Sequence, residues 1–236
     1  MPEHDVERIR WKVLEPAFMA QWEQGQHMAI IGPTGQGKTT LAIELLNDRV
    51  EQRGGNVVIM ASKQRDDGLQ KLASQGWAII REWPPTYEQR LGRKIILWPK
   101  YGKASTSAAQ NRPIYTEAFD GILEEQNWTV YLDEVIYYIE QLRLRTILDE
   151  FWNTGRSSGI TLVASSQGAT WVPRAMLTQQ SWLVTFHVKD AEVQKRIAEI
   201  AGDRRGLTPV IQDLRRHEFL LVDTLSGEAY ISKLGT

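Results

Sequence analysis

Residues 32–39 read Gly-Pro-Thr-Gly-Gln-Gly-Lys-Thr and fit the pattern G-x-x-x-x-G-K-[ST] at every constrained position. An apolar run, Met28–Ile31, precedes them, and a leucine-bearing stretch with helical spacing, Thr40–Val50, follows. A strand, a glycine-rich loop and a helix in that order constrain the fold strongly, because the loop must sit at the carboxyl edge of a sheet with the helix amino terminus beside it. Glycines let the backbone curl so that successive N–H groups point at one phosphate, and the helix end adds partial positive charge. Lys38 supplies a mobile full charge near β- and γ-phosphates, and the Thr39 hydroxyl can ligate Mg²⁺. Gly32, Pro33, Thr34, Gly35, Gln36, Gly37, Lys38, Thr39 and Thr40 are therefore the candidate residues for binding ATP. A glycine-rich turn that matches by chance is the alternative, and the correctly placed strand and helix argue against it.

The rest of the 236-residue chain repeats the alternation. Val57–Met60, Ala78–Ile80, Ile95–Trp98, Val130–Leu132, Ile160–Ala164 and Leu183–Phe186 read as further short strands, apolar on both faces. Such runs suit a parallel sheet covered by helices on both sides. Thr39–Gln52, Ile114–Gln126, Ile136–Asn153 and Ala191–Ala201 carry helical spacing. Glu218–Val222 and Glu228–Ile231 flank a turn sequence and read as a carboxyl-terminal β-hairpin. The expectation is an α/β sandwich forming a single domain over 1–236, with Pro99–Arg112 as its loosest stretch. With no cysteine, thiolate metal sites, disulfides and a cysteine nucleophile are excluded. His4, His27, His187 and His217 lack ligand spacing, so no transition-metal site is expected. No apolar run approaches the roughly 20 residues of a bilayer span, and the start MPEHDVERIR does not resemble a signal peptide, so the expected location is cytoplasmic.

Trp128–Leu132 forms a buried-looking run that ends in Asp133-Glu134. Neighbouring side chains at a strand end point to opposite faces, so Asp133 can hold a magnesium ion while Glu134 faces elsewhere and polarises an attacking water. Two ordinary acids capping the next helix are the alternative; the upstream phosphate loop favours the functional reading. A polar residue at the tip of the strand beside the phosphate-loop strand would reach the γ-phosphate. Gln167, after Ile160–Ala164, is that candidate, with a plain strand-end turn residue as the alternative. Arg156, in the turn before the same strand, could reach a neighbouring subunit's nucleotide, a contribution worth ~10³–10⁵ in rate. Its alternatives are an exposed loop arginine, or one of its rivals Arg143, Arg145 and Arg174 acting in its place.

The ordered set GPTGQGKT, WTVYLDE and NTGRSSGITLVASSQ resembles the FtsK–HerA superfamily of P-loop ATPases over roughly residues 22–190. The third motif discriminates, although the family's T-Q-R-P ending is replaced by Ser166-Gln167-Gly168-Ala169. The size is similar to that of compact genome-packaging ATPases of tailless viruses with an internal membrane. The resemblance implies a RecA-like (ASCE) sheet, Mg-ATP, a homo-oligomeric ring (hexamer or pentamer) and double-stranded DNA in its pore. It also implies docking to a capsid or portal-vertex protein, and a location in host cytoplasm or with the virion.

Net charge is −1, so any nucleic-acid site must be local. Residues 90–112 hold Arg90, Arg93, Lys94, Lys100, Lys103 and Arg112 without an acid, interleaved with Trp98 and Tyr101. Lys100 and Lys103 are the candidate DNA contacts, a merely solvated basic surface being the alternative. A second cluster, Arg204-Arg205 with Arg215-Arg216, reads as a subunit contact. Trp11 and Trp22 could pack near an adenine, though no spacing demands it. Three functions compete: a DNA-translocating ATPase; an ATPase driving virion or secretion-complex assembly through protein partners; and a small-molecule kinase, which Glu134 argues against.

Overall fold

The computed structural model describes residues 6–103, 105–169, 172–202 and 206–235. In chain order the elements are β1 (Glu7–Arg8), α1 (Trp11–Gln21), β2 (His27–Ile31), α2 (Lys38–Arg53), β3 (Asn56–Met60), α3 (Asp67–Ala73), β4 (Ala78–Ile80), α4 (Tyr87–Leu91), β5 (Lys94–Leu97) and α5 (Ser107–Glu125). There follow β6 (Trp128–Leu132), a π-helical turn at Tyr137–Gln141, α6 (Arg145–Thr154), β7 (Thr161–Ser166), α7 (Arg174–Thr178), β8 (Gln180–Phe186), α8 (Ala191–Ile200), α9 (Leu207–Asp213), β9 (Glu218–Asp223) and β10 (Ala229–Lys233).

All ten strands join one sheet in the order β1-β10-β9-β8-β2-β7-β6-β3-β5-β4. From β8 to β4 every pairing is parallel; β9 and β10 add the expected antiparallel hairpin, and β1 pairs in parallel with β10. The double-sided apolar runs are explained by two cores. Alternate residues of one strand fall into different clusters: Met28 and Ile30 pack with α1 and α2, whereas Ala29 and Ile31 pack with α5 to α9.

Helix α2 carries Leu41, Ala42, Leu45 and Leu46 on its buried stripe, each leucine contributing about 2 kcal/mol of burial. It ends at Gly54, whose φ of 65° and N–H bond to the Val50 carbonyl make a left-handed stop. The stripe continues one turn on to Arg49, which is fully buried. Its guanidinium donates to Trp22 O, Gln24 Oε1, Thr129 Oγ1 and Thr161 Oγ1 and lies 4.2 Å from the centre of the Trp22 ring. Burial lowers its pKa to about 9, still charged at neutral pH. This residue fastens the phosphate-loop helix to the first residues of β6 and β7.

Two sequence expectations are corrected. The stretch Ile136–Asn153 is not one helix. Leu142 N–H reaches back five residues to Tyr137 O, Arg143 takes a φ of 55°, and α6 starts afresh. The buried set Tyr138, Leu142, Leu144 and Leu148 does not keep a helical period, and the backbone follows the burial. Nor is Pro99–Arg112 a loop throughout, because α5 begins at Ser107, seven residues before the expected start. Asn111 and Tyr115 are fully buried on its inner face. Among the described residues, no helix is long and apolar enough to cross a membrane.

Candidate nucleotide-binding and catalytic site

Because β2, β7, β6 and β3 are parallel, their carboxyl ends gather at one edge of the sheet, where the candidate residues meet. Gly32 N–H continues the ladder to Ser166 O at 3.0 Å. A Cβ at Gly32 would lie 2.7 Å from Phe186 Cβ, so only glycine fits between the loop and β8. The loop then curls through Gly35 (φ 79°) and Gly37 (φ 111°). At the start of α2 no side chain caps the helix and its first turn holds no acid, leaving N–H groups directed at the cavity. Lys38 is nearly buried and donates to Pro33 O at 3.1 Å. Burial pulls its pKa below the ordinary lysine value, Glu134 and Asp133 oppose that, and Lys63 adds repulsion.

Thr39 Oγ1 lies 3.1 Å from Asp133 Oδ1. Asp133 Oδ2 accepts a 2.8 Å bond from Lys63, and the Tyr131 hydroxyl stands 3.2 Å from Oδ1. For Lys63 burial disfavours the charge, but Asp133 and Asp66 together hold its pKa above the ordinary value. A hydroxyl and a carboxylate side by side are both hard oxygen donors that would suit a magnesium ion, and a lysine ammonium already sits on Asp133.

Asp133 and Glu134 do not diverge by strand alternation as expected, because β6 ends at Leu132. Glu134 instead adopts a left-handed φ of 69°, its N–H held at 3.1 Å by Ser165 Oγ, and both carboxylates line the same cavity. Burial raises the Glu134 pKa, with Gln167 and Lys38 working to lower it. That cavity, of about 700 Å³, is lined by Thr34, Gly35, Gly37, Lys38, Thr39, Thr40, Lys63, Asp133, Glu134 and Gln167. Pro33 and Gln36 serve it through their carbonyls, the second lying 3.0 Å from His217 Nδ1.

No family model matches the sequence, and no curated protein matches it. The fold, however, is similar to solved structures. B204, the DNA-packaging ATPase from Sulfolobus turreted icosahedral virus, superposes with a TM-score of 0.65 at 15% identity, over 90% of this chain and 98% of that one. VirB4 of Thermoanaerobacter pseudethanolicus gives 0.66 at 12% identity, over 89% of both chains. EssC (ATPases 2 and 3) from Geobacillus thermodenitrificans gives 0.59 at 14% identity, over 90% of this chain and 40% of that one. The chain shares its fold with these structures.

Within this fold, some expected residues stand away from the cavity. Arg156 is exposed in the turn before β7, and Gly25, just before β2, packs on its backbone. It thus lies at the opposite edge of the sheet, about 20 Å of strand from Ser166. Lys100 and Lys103 are exposed on the β5–α5 connection, outside the cavity. The basic stretch around them is not one patch. Arg90 is paired with Glu125 at 2.8 Å, Lys94 with Glu51 at 3.4 Å, and Arg93 donates to Gly54 O. Trp11 is buried against Phe219 with its indole N–H on Glu44, and Trp22 is buried under Arg49, so neither lines the cavity. Of the second basic cluster, Arg215 and Arg216 are exposed, and Arg204-Arg205 lie outside the described residues.

Sequence reasoning missed Lys63 and the wall formed by His217, Lys233, Leu234 and Gly235. Lys63 had a signal: it follows the apolar run of β3, and polar residues just past every parallel strand converge at this edge. The wall had none, because it depends on β9 and β10 folding back beside β8 and the phosphate loop.

Proposed function

We propose that this chain is a magnesium-dependent ATPase that couples ATP hydrolysis to translocation of double-stranded DNA, working as a homo-oligomeric ring. The observation that carries the reading is the convergence of Lys38, Thr39, Asp133, Glu134 and Gln167 on one cavity at an uncapped helix amino terminus. Lys38 and the helix end bind the β- and γ-phosphates. Thr39 and Asp133 would hold the magnesium ion, which when bound neutralises charge on the phosphates. Glu134 accepts a proton from the water whose oxygen attacks the γ-phosphorus as the β–γ bridging bond breaks. A carboxyl with a pKa raised by burial is a stronger base than an exposed one. Gln167, on the same cavity, orients that water.

Arg156 stands too far from its own phosphate loop to act within one subunit, which supports a role at a neighbour's nucleotide in a ring. Lys100 and Lys103, exposed on one connection, are suited to grip DNA phosphates loosely. The fold is shared with a packaging ATPase from a virus, which supports viral genome packaging or plasmid transfer as the setting, in host cytoplasm or with a virion, docked on a capsid or portal-vertex protein. A second reading, assembly of a virion or secretion complex through protein partners, is favoured by the internal pairing of Arg90 and Lys94. The test is steady-state ATP hydrolysis with and without double-stranded DNA at low and moderate salt. Strong stimulation, lost on charge reversal at Lys100 and Lys103 with basal turnover kept, supports translocation. Turnover indifferent to DNA favours the second reading.

A further inference from the structure

Of the lysines lining the cavity besides Lys38, Lys63 is the one in contact with Asp133, and the phosphate-loop pattern does not account for it. Lys63 leaves the end of β3 and is fixed at its base, where its carbonyl accepts the indole N–H of the buried Trp98 at 2.8 Å. Its side chain is 53% exposed and reaches across to Asp133 Oδ2 at 2.8 Å, with Asp66 Oδ2 at 3.6 Å. Asp66 is already engaged as the cap of α3, accepting from Leu69 N–H. Lys63 and Lys38 thus line one cavity with Lys233, on the side where Asp133 stands. Both oxygens of the Asp133 carboxylate are engaged, Oδ1 by Thr39 and Tyr131 and Oδ2 by Lys63.

A lysine ammonium and a divalent cation compete for that carboxylate. A divalent cation beside Thr39 would draw on the same carboxylate and repel the ammonium. Lys63 has a flexible four-carbon stem and open space, so it can leave Asp133 when the metal arrives. The anion then nearest to two lysines in this cavity is the end of a polyphosphate. We propose that Lys63 is a second phosphate-binding lysine, which exchanges its contact with Asp133 for the terminal phosphate of a nucleoside triphosphate. This rests on the cavity being a Mg-ATP site. It adds to that reading a residue that distinguishes triphosphate from diphosphate.

The test is equilibrium binding of ATP and of ADP, each titrated at fixed Mg²⁺, to full-length protein carrying Glu134→Gln so that ATP persists. Lys63→Met, Lys63→Gln and Lys63→Arg are compared on that background. One charge-assisted phosphate contact predicts a loss of tenfold or more in ATP affinity for Lys63→Met and Lys63→Gln, with ADP affinity changed less than threefold. Lys63→Arg keeps the preference. The Mg²⁺ concentration that half-saturates Mg-dependent ADP binding falls in the uncharged variants, since a competing cation is gone. Equal losses for ATP and ADP, or no loss for ATP, overturn the Lys63 assignment while leaving the nucleotide site standing. A parent protein that binds neither nucleotide overturns both. Thermal melts of each variant separate folding from binding, and Lys63→Gln, of similar length and polar, carries the test where Lys63→Met folds poorly.

Discussion

Glu134 is held in a conformation that costs stability, so removing it should weaken the fold little or not at all. Its φ of 69° is left-handed, a region costing a non-glycine residue about 1–2 kcal/mol. Replacement by glycine relieves that cost and returns about 0.5–1 kcal/mol of it as chain entropy in the unfolded state. The lost attraction to Lys38 takes away roughly 0.5 kcal/mol more. The net change for Glu134→Gly then lies between about 0.5 kcal/mol of destabilisation and about 1 kcal/mol of stabilisation. For a chain of this size that means a Tm from about 2 °C lower to about 3 °C higher. Scanning calorimetry of wild type, Glu134→Gly and Glu134→Gln measures it, with ATP hydrolysis followed on the same samples. Both variants should be inactive, and the Tm of Glu134→Gly should fall no more than about 2 °C below wild type. A drop in Tm of more than about 3 °C would refute the reasoning that function, and not packing, keeps a glutamate there. Glu134→Gln keeps the strain and removes only the charge, so its pH dependence isolates the carboxyl. The pKa of Glu134 is raised in the folded state, chiefly by burial. The stabilisation from its protonated form is thus complete below the ordinary value of 4.5 and is lost as pH rises through the folded value. Wild type should lose stability relative to Glu134→Gln across that window; a constant difference would show that the group does not titrate differently on folding.

Arg49→Met strands the Trp22 carbonyl and Gln24 amide oxygen inside the protein and should cost about 3 kcal/mol, read as a Tm lower by roughly 6–12 °C; a change under 2 °C contradicts the anchoring role. Gly37→Ala forces a side chain into a φ of 111° with its Cβ 2.9 Å from Leu234 Cδ1, and should cost about 2 kcal/mol with at least a tenfold loss of nucleotide affinity in a binding titration. Arg156→Ala should bind ATP normally and fail to turn it over, yet regain partial activity when mixed with Lys38→Ala protein. Near-normal turnover of Arg156→Ala alone, or no rescue in mixtures, would exclude action across a subunit boundary.

Most of the sheet was legible because its central strands are buried on both faces, and such runs are visible as unbroken Val, Ile and Leu. Met28–Ile31 and Val57–Met60 stand within one residue of their observed bounds. The phosphate loop was legible for a different reason: backbone curvature and phosphate charge allow few residue types. Helix α1 was hidden by Pro16 within it, and the break at Arg143 by apolar spacing that a helix tolerates for two turns. Long-range placement was the real limit. Nothing local in Lys233-Leu234-Gly235 says that the last strand returns to the phosphate loop. Nothing local in Arg90 or Lys94 says that Glu125 and Glu51 will take their charges.

The central claim is that this cavity binds ATP through Lys38 and hydrolyses it through Glu134. Its most direct test is a single-turnover assay with Mg-ATP on wild type, Lys38→Ala and Glu134→Gln, with bound nucleotide and released phosphate measured together. The account predicts that Lys38→Ala binds weakly. It predicts that Glu134→Gln binds as tightly as wild type but releases phosphate about 10²–10⁴ times more slowly. Hydrolysis by Glu134→Gln within tenfold of wild type would contradict it.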